Sequence, residues 1–137
     1  MNKGKILALD YGEKRIGVSI SDSSRQLCFI RPFIANEGDL NVACAKVIQF
    51  CEQEAVKEII VGLPLNTGGS MSAQAEKNLL FSECLQKHGE IPVVNVDESF
   101  STFEATEMYK EAGFAPEEYV NLKDSMSAYV LLQKYIK

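Results

Sequence analysis

Apolar residues along this chain fall first in short dense runs and later in stripes at helical spacing. Residues 5–11 and 16–22, within KILALDYGEKRIGVSISD, hold two apolar runs joined by a short charged turn. That pattern predicts two strands of a hairpin. Residues 26–33, QLCFIRPF, predict a third strand that ends at Pro32 or lies at a sheet edge, since proline cannot donate to a ladder. Asp39 is placed to cap a helix running to about Glu54, with Leu40, Ala43, Cys44, Val47 and Cys51 on one face. Residues 56–64, VKEIIVGLP, predict a strand stopped by Gly62 and Pro64. The loop NTGGSMS at 66–72 follows, then a helix to about Lys87, and a strand at 91–97, IPVVNVD. Ser101 and Glu104 form a capping box for a helix through about Ala112. A last helix is predicted over 121–136, with Met126, Tyr129, Val130, Leu132 and Tyr135 as its apolar positions.

The resulting order, β-β-β-α-β-α-β-α-α, predicts an α/β fold: a mixed central sheet with helices on both faces. At 137 residues the chain is expected to be a single domain, 1–137, with a real core. No apolar run is long enough to span a membrane, and the stretch MNKGKILALD is too short in apolar residues for a signal peptide. A cytoplasmic location is expected. Cys28, Cys44, Cys51 and Cys84 contain no C-x-x-C pair, and His88 is the single histidine, so a zinc site is not expected. The thiols read as small core residues, and His88 as a helix C-terminal residue beside Gly89. The net charge of −5 argues against a nucleic-acid partner. Its distribution answers in part, because Lys3, Lys5, Lys14 and Arg15 gather in the first hairpin.

Chemistry in open α/β sheets collects at the carboxyl ends of strands, and three acidic positions stand there or nearby. Asp10 ends the run ILAL; Asp97 and Glu98 end PVVNV; Asp124 opens the last helix before its apolar stretch. If the two strands are parallel neighbours, Asp10 and Glu98 meet at their ends. Clustered carboxylates repel one another and lose hydration, which a divalent cation relieves. Each acid also has a plainer reading. Asp10 can be a turn residue, Asp124 a complement to the helix dipole, and Asp97-Glu98 solvated loop acids. The spacing Asp10-x-Gly12-x-x-x-x-Gly17 also suits the phosphate-binding hairpin of actin- and Hsp70-like ATPases. Those enzymes close two domains on a nucleotide, and one domain with no P-loop lysine motif does not support that reading.

Together, LALDYGEKRIGVSISD (7–22), IIVGLPLNTGGSMSAQAE (59–76), VDESFSTFEAT (96–106) and KDSMSAYVLLQKYI (123–136) resemble the YqgF/RuvX family, in family order and over essentially the whole chain. The resemblance implies an RNase H-like fold and a nuclease dependent on Mg²⁺ or Mn²⁺, with a two-ion site. The family is associated with maturation of the 5′ end of 16S ribosomal RNA, so the expected activity is endonucleolytic cleavage of that precursor during ribosome biogenesis. Holliday junction resolution, on four-way DNA junctions in recombination and repair, is the alternative, and a non-catalytic RNA-binding assembly factor is a third. The implied partners are structured RNA or branched DNA and the ribosomal precursor particle. No membrane is implied; junction resolution would call for a homodimer.

Carried over by position, the family's acidic triad falls on Asp10, Glu98 and Asp124 as catalytic and metal-holding residues. Lys14 and Arg15 match its basic turn and are expected to contact phosphate. Asn66, Gly68, Gly69 and Ser70 match the loop after GLP and would admit a substrate backbone. For that loop the plainer reading is a flexible connection with a helix cap at Ser70 or Ser72. The family usually has an arginine after the Asp-Glu pair and Leu-Thr-Thr beyond it. This chain has Ser99, then Phe100-Ser101-Thr102, which keeps the hydroxyls for capping but loses a bidentate phosphate donor.

Overall fold

A computed structural model describes residues 3–65 and 70–98, the backbone of 116–136, and the side chains of 125–136. Among them the elements run β1 (Lys5–Tyr11), β2 (Arg15–Ser21), β3 (Cys28–Ala35), α1 (Leu40–Glu54), β4 (Val56–Leu63), α2 (Ala73–His88), β5 (Val93–Asp97) and α3 (Pro116–Ile136). The helix expected between Ser101 and Ala112 lies outside the described residues.

The five strands form one sheet in the order β3-β2-β1-β4-β5. β1 pairs antiparallel with β2 and parallel with β4, so the hairpin and the mixed sheet are both as expected. β1 is central, and Ile6, Leu7, Ala8 and Leu9 are all buried. That continuous apolar run is what a strand covered on both faces requires. Alternation sends Leu7 and Leu9 to one layer, with Val18, Ile20, Ile59 and Val61, where α1 and α2 supply Cys44, Val47, Cys51, Phe81 and Leu85. Ile6 and Ala8 point the other way, with Ile60, against Ala128, Leu131 and Leu132 of α3.

Helix α1 starts where Asp39 predicts: its carboxylate accepts from the N–H groups of Asn41 and Val42. It ends on Ala55 in the left-handed region, φ 57°. Burial pushes the Cys44 and Cys51 thiols well above the ordinary thiol range, so both stay protonated among their apolar neighbours. His88 closes α2, where Gly89 N–H bonds the Leu85 carbonyl.

β3 is the sheet edge, the second of the two readings that Pro32 allowed, and it runs past the expected end at Phe33 to Ala35 because a bulge absorbs the proline. Between the pairs Ile16↔Ile34 and Val18↔Arg31, the single residue Gly17 faces Pro32 and Phe33. β4 does not stop at Gly62 but runs through it to Leu63. The last helix begins at Pro116 instead of 121, with proline in the first turn, where its missing N–H costs nothing.

Candidate functional site

β1 and β5 are both parallel to β4, so all three end at the same edge of the sheet. They are not neighbours, however, and the expected meeting of strand ends needs correcting: β4 lies between them. Glu98 spans that gap. Its N–H bonds the Leu63 carbonyl at 3.0 Å, extending the β4–β5 ladder by one step. Its side chain then crosses Gly62. A Cβ at position 62 would sit 2.8 Å from the Glu98 carboxyl carbon and 3.0–3.1 Å from both its oxygens. Only glycine leaves that passage open. It looked like a strand stop in the sequence because its purpose depends on a residue 36 positions away.

The Glu98 carboxyl ends half-buried and hydrogen-bonded to Asp10. Loss of hydration, then the Asp10 charge and hydrogen bond, then the Asp97 charge push its pKa up to about 9. Two carboxyl groups in contact therefore share a proton at neutral pH. Glu98 Oε1 is buried and, among the described residues, receives no hydrogen bond. A pair of hard oxygen donors held together by a proton, with one oxygen orphaned, fits a divalent cation that would replace the proton. Of the two acids at the end of β5, it is Glu98 that turns inward, while Asp97 is exposed. Among the described residues no group of three potential ligands gathers. Asp124 lies in α3, with its side chain outside the described residues.

The next residue shows how that helix turn is held. Ser125 is buried and fills the bulge between β2 and β3: its hydroxyl accepts from Val18 N–H at 3.0 Å and donates to the Arg31 carbonyl at 2.7 Å. The helix thus supplies the rung that the strands cannot make directly, and the turn bearing position 124 is fixed to the strand beside β1.

From the opposite face, α2 fixes the backbone around the acids. Gln74 Nε2 donates to the Tyr11 carbonyl at 3.0 Å and to Asn78 Oδ1 at 2.8 Å, and buried Asn78 donates to the Gly62 carbonyl at 2.8 Å. The residue after Asp10 and the residue under Glu98 are thereby linked through one helix. Sequence reasoning missed both amides. The available signal was two amides four apart on one helix.

The basic turn is equally fixed. Gly12 N–H bonds the Arg15 carbonyl, and a Cβ at Gly12 would sit 2.5 Å from that oxygen. Buried Asn36, also missed, donates through Nδ2 to the Gly12 carbonyl at 2.7 Å, and its own N–H bonds the Lys14 carbonyl. Lys14 and Arg15 are exposed, and the Arg15 guanidinium lies 5.2 Å from the Phe33 ring centre. Of the expected loop, Asn66, Gly68 and Gly69 lie outside the described residues. Ser70 is exposed, and the helix cap is Ser72, which accepts from Ala75 N–H.

A mixed five-strand sheet in this order, with helices on both faces, makes this an RNase H-like protein. The Thermus thermophilus RuvC structure matches with a TM-score of 0.65 at 11% identity, covering 96% of this chain and 93% of that one. The same protein bound to a Holliday junction substrate matches with a TM-score of 0.61. The family model described as "RuvX: Holliday junction resolvase" matches residues 4–137, and the chain belongs to that family. Its relatives include the "Putative pre-16S rRNA nuclease" of Halothermothrix orenii, 37% identical over 96% of this chain and 94% of the relative. The protein of that name from Chloroflexus aurantiacus is 33% identical over 99% of this chain and 88% of the relative.

Proposed function

We propose that this protein is a divalent-metal-dependent endonuclease that cleaves a phosphodiester of precursor 16S ribosomal RNA. The observation that carries the reading is the Asp10–Glu98 pair, brought together across Gly62 with one buried oxygen unpartnered. A structural ion pair would contain a cation of the protein; this pair contains two acids. In this reading Asp10, Glu98 and Asp124 hold Mg²⁺ or Mn²⁺. The metal supplies positive charge to the attacking and leaving oxygens of the phosphodiester. Asp10 and Glu98 share a proton in the metal-free protein, and a bound cation would take that proton's place between them. Lys14 and Arg15, on a turn pinned by Asn36, hold substrate phosphates, and the 66–70 loop admits the substrate backbone. The protein works in the cytoplasm, on the precursor particle.

The relatives' names support the RNA substrate. The family model's description favours a second reading, resolution of four-way DNA junctions, which would require two copies acting on opposed strands. Cleavage of precursor 16S RNA and of a four-way junction, each with Mn²⁺, with EDTA and with Asp10→Asn protein, separates these. The expected result is Mn²⁺-dependent cutting of the RNA, lost in the variant. Junction cutting alone would select the resolvase. Cutting in EDTA, or by the variant at full rate, would refute the metal site.

A further inference from the structure

Phe33 lies on the edge strand and is 41% exposed. It occupies the bulge opposite Gly17, and Gly17 pairs with Asp10, so Asp10, Gly17 and Phe33 form one row across three strands. Two inter-strand spacings put Phe33 about 10 Å from Asp10. The face follows from alternation: Ile34 packs into the α1–α2 layer and Phe33 points the other way, as Asp10 does relative to buried Leu9. Arg15 stacks on the Phe33 ring from β2, and Asn36 ties the end of β3 to the Lys14–Arg15 turn. An exposed aromatic ring and an arginine plane therefore lie together on the sheet face that carries the acids.

Folding gains little by leaving a phenylalanine open to water at this place. A base stacked on an aromatic ring, with its phosphate against arginine, is the common way proteins hold unpaired nucleotides. We propose that Phe33 and Arg15 form a stacking platform for one unpaired base of the substrate, a nucleotide or two from the phosphate at Asp10 and Glu98. This rests on the nuclease reading and adds its substrate class: single-stranded nucleic acid at the cut site, not a continuous duplex. Base-paired nucleotides hide both faces in their own stack and cannot use the ring.

The test is equilibrium binding, by fluorescence anisotropy in EDTA, of a fluorescein-labelled 12-nucleotide single-stranded RNA and of the matching RNA duplex. Wild type, Phe33→Leu and Phe33→Tyr are compared. Wild type should prefer the single strand. Phe33→Leu, which keeps an apolar side chain but no ring, should weaken single-strand binding by roughly 5- to 100-fold and leave duplex binding unchanged. Phe33→Tyr should restore it, and circular dichroism reads whether each variant is folded. Unchanged single-strand binding by folded Phe33→Leu, equal losses for both RNAs, or no rescue by tyrosine would overturn the platform alone. A wild type that binds neither RNA would overturn the nucleic-acid reading and the platform with it.

Discussion

Replacing Glu98 with glutamine should make the metal-free protein more stable while it abolishes cleavage. The carboxyl titrates at about 9 in the folded chain, against an ordinary value of 4.5. A raised pKa means that the folded state holds its proton more tightly than the unfolded state does. The contribution is fully present below pH 4.5 and is lost progressively as pH rises toward 9. At pH 7 the unfolded side chain has been ionised for some 2.5 pH units, which at about 1.4 kcal/mol per unit is about 3 kcal/mol. Glutamine of nearly the same shape carries no such dependence. Glu98→Gln should therefore match wild type near pH 4.5 and exceed it by up to about 3 kcal/mol at pH 7, roughly 10 °C in Tm for a domain of this size. Thermal unfolding in EDTA at pH 4.5, 6, 7.5 and 9 measures this. Adding Mn²⁺ should reverse the order, because only wild type gains by binding. Parallel pH profiles for the two proteins, or a variant less stable than wild type at pH 7.5 in EDTA, would refute the shared proton.

Gly62→Ala should displace the Glu98 carboxyl, the movable end of that side chain, and weaken Mn²⁺ binding at least about tenfold by calorimetry. Unchanged Mn²⁺ affinity would show that Glu98 does not depend on that passage. Ser125→Ala leaves Val18 N–H and the Arg31 carbonyl unpartnered in the bulge, and should cost about 2–4 kcal/mol in denaturant unfolding. Ala55→Gly relieves a left-handed alanine at the end of α1 and should add up to about 1 kcal/mol in the same assay.

The hairpin, the Asp39 cap and the element order through β5 are legible because each depends on neighbours within a turn or two of chain. What the sequence hides is pairing. Nothing local places β4 between β1 and β5, and that one fact makes Gly62 a passage for Glu98 instead of a stop. Pro32 allowed two readings for the same reason, a strand end or a sheet edge, and only the pairing of β3 selects the edge. Gln74, Asn78 and Asn36 look like ordinary polar residues until the fold shows which carbonyls they bond. The contact of Asp10 with Glu98 was anticipated by chemical type, two acids at strand ends, although its route was not.

Ser125 gives the fold a built-in order of assembly. The hydroxyl that completes the β2–β3 ladder comes from a residue 107 positions beyond Val18. As the chain leaves the ribosome, the hairpin and its edge strand emerge before α3 but carry a missing rung at Val18, the residue after the one that pairs with Asp10. Closure waits for α3, which is made after the sheet strands, and such long-range contacts form late. A chain made only as far as β5 therefore has Asp10 without the helix turn that bonds the strand beside it. On the nuclease reading, no cutting site exists beside the ribosome's own RNA until the helix has docked.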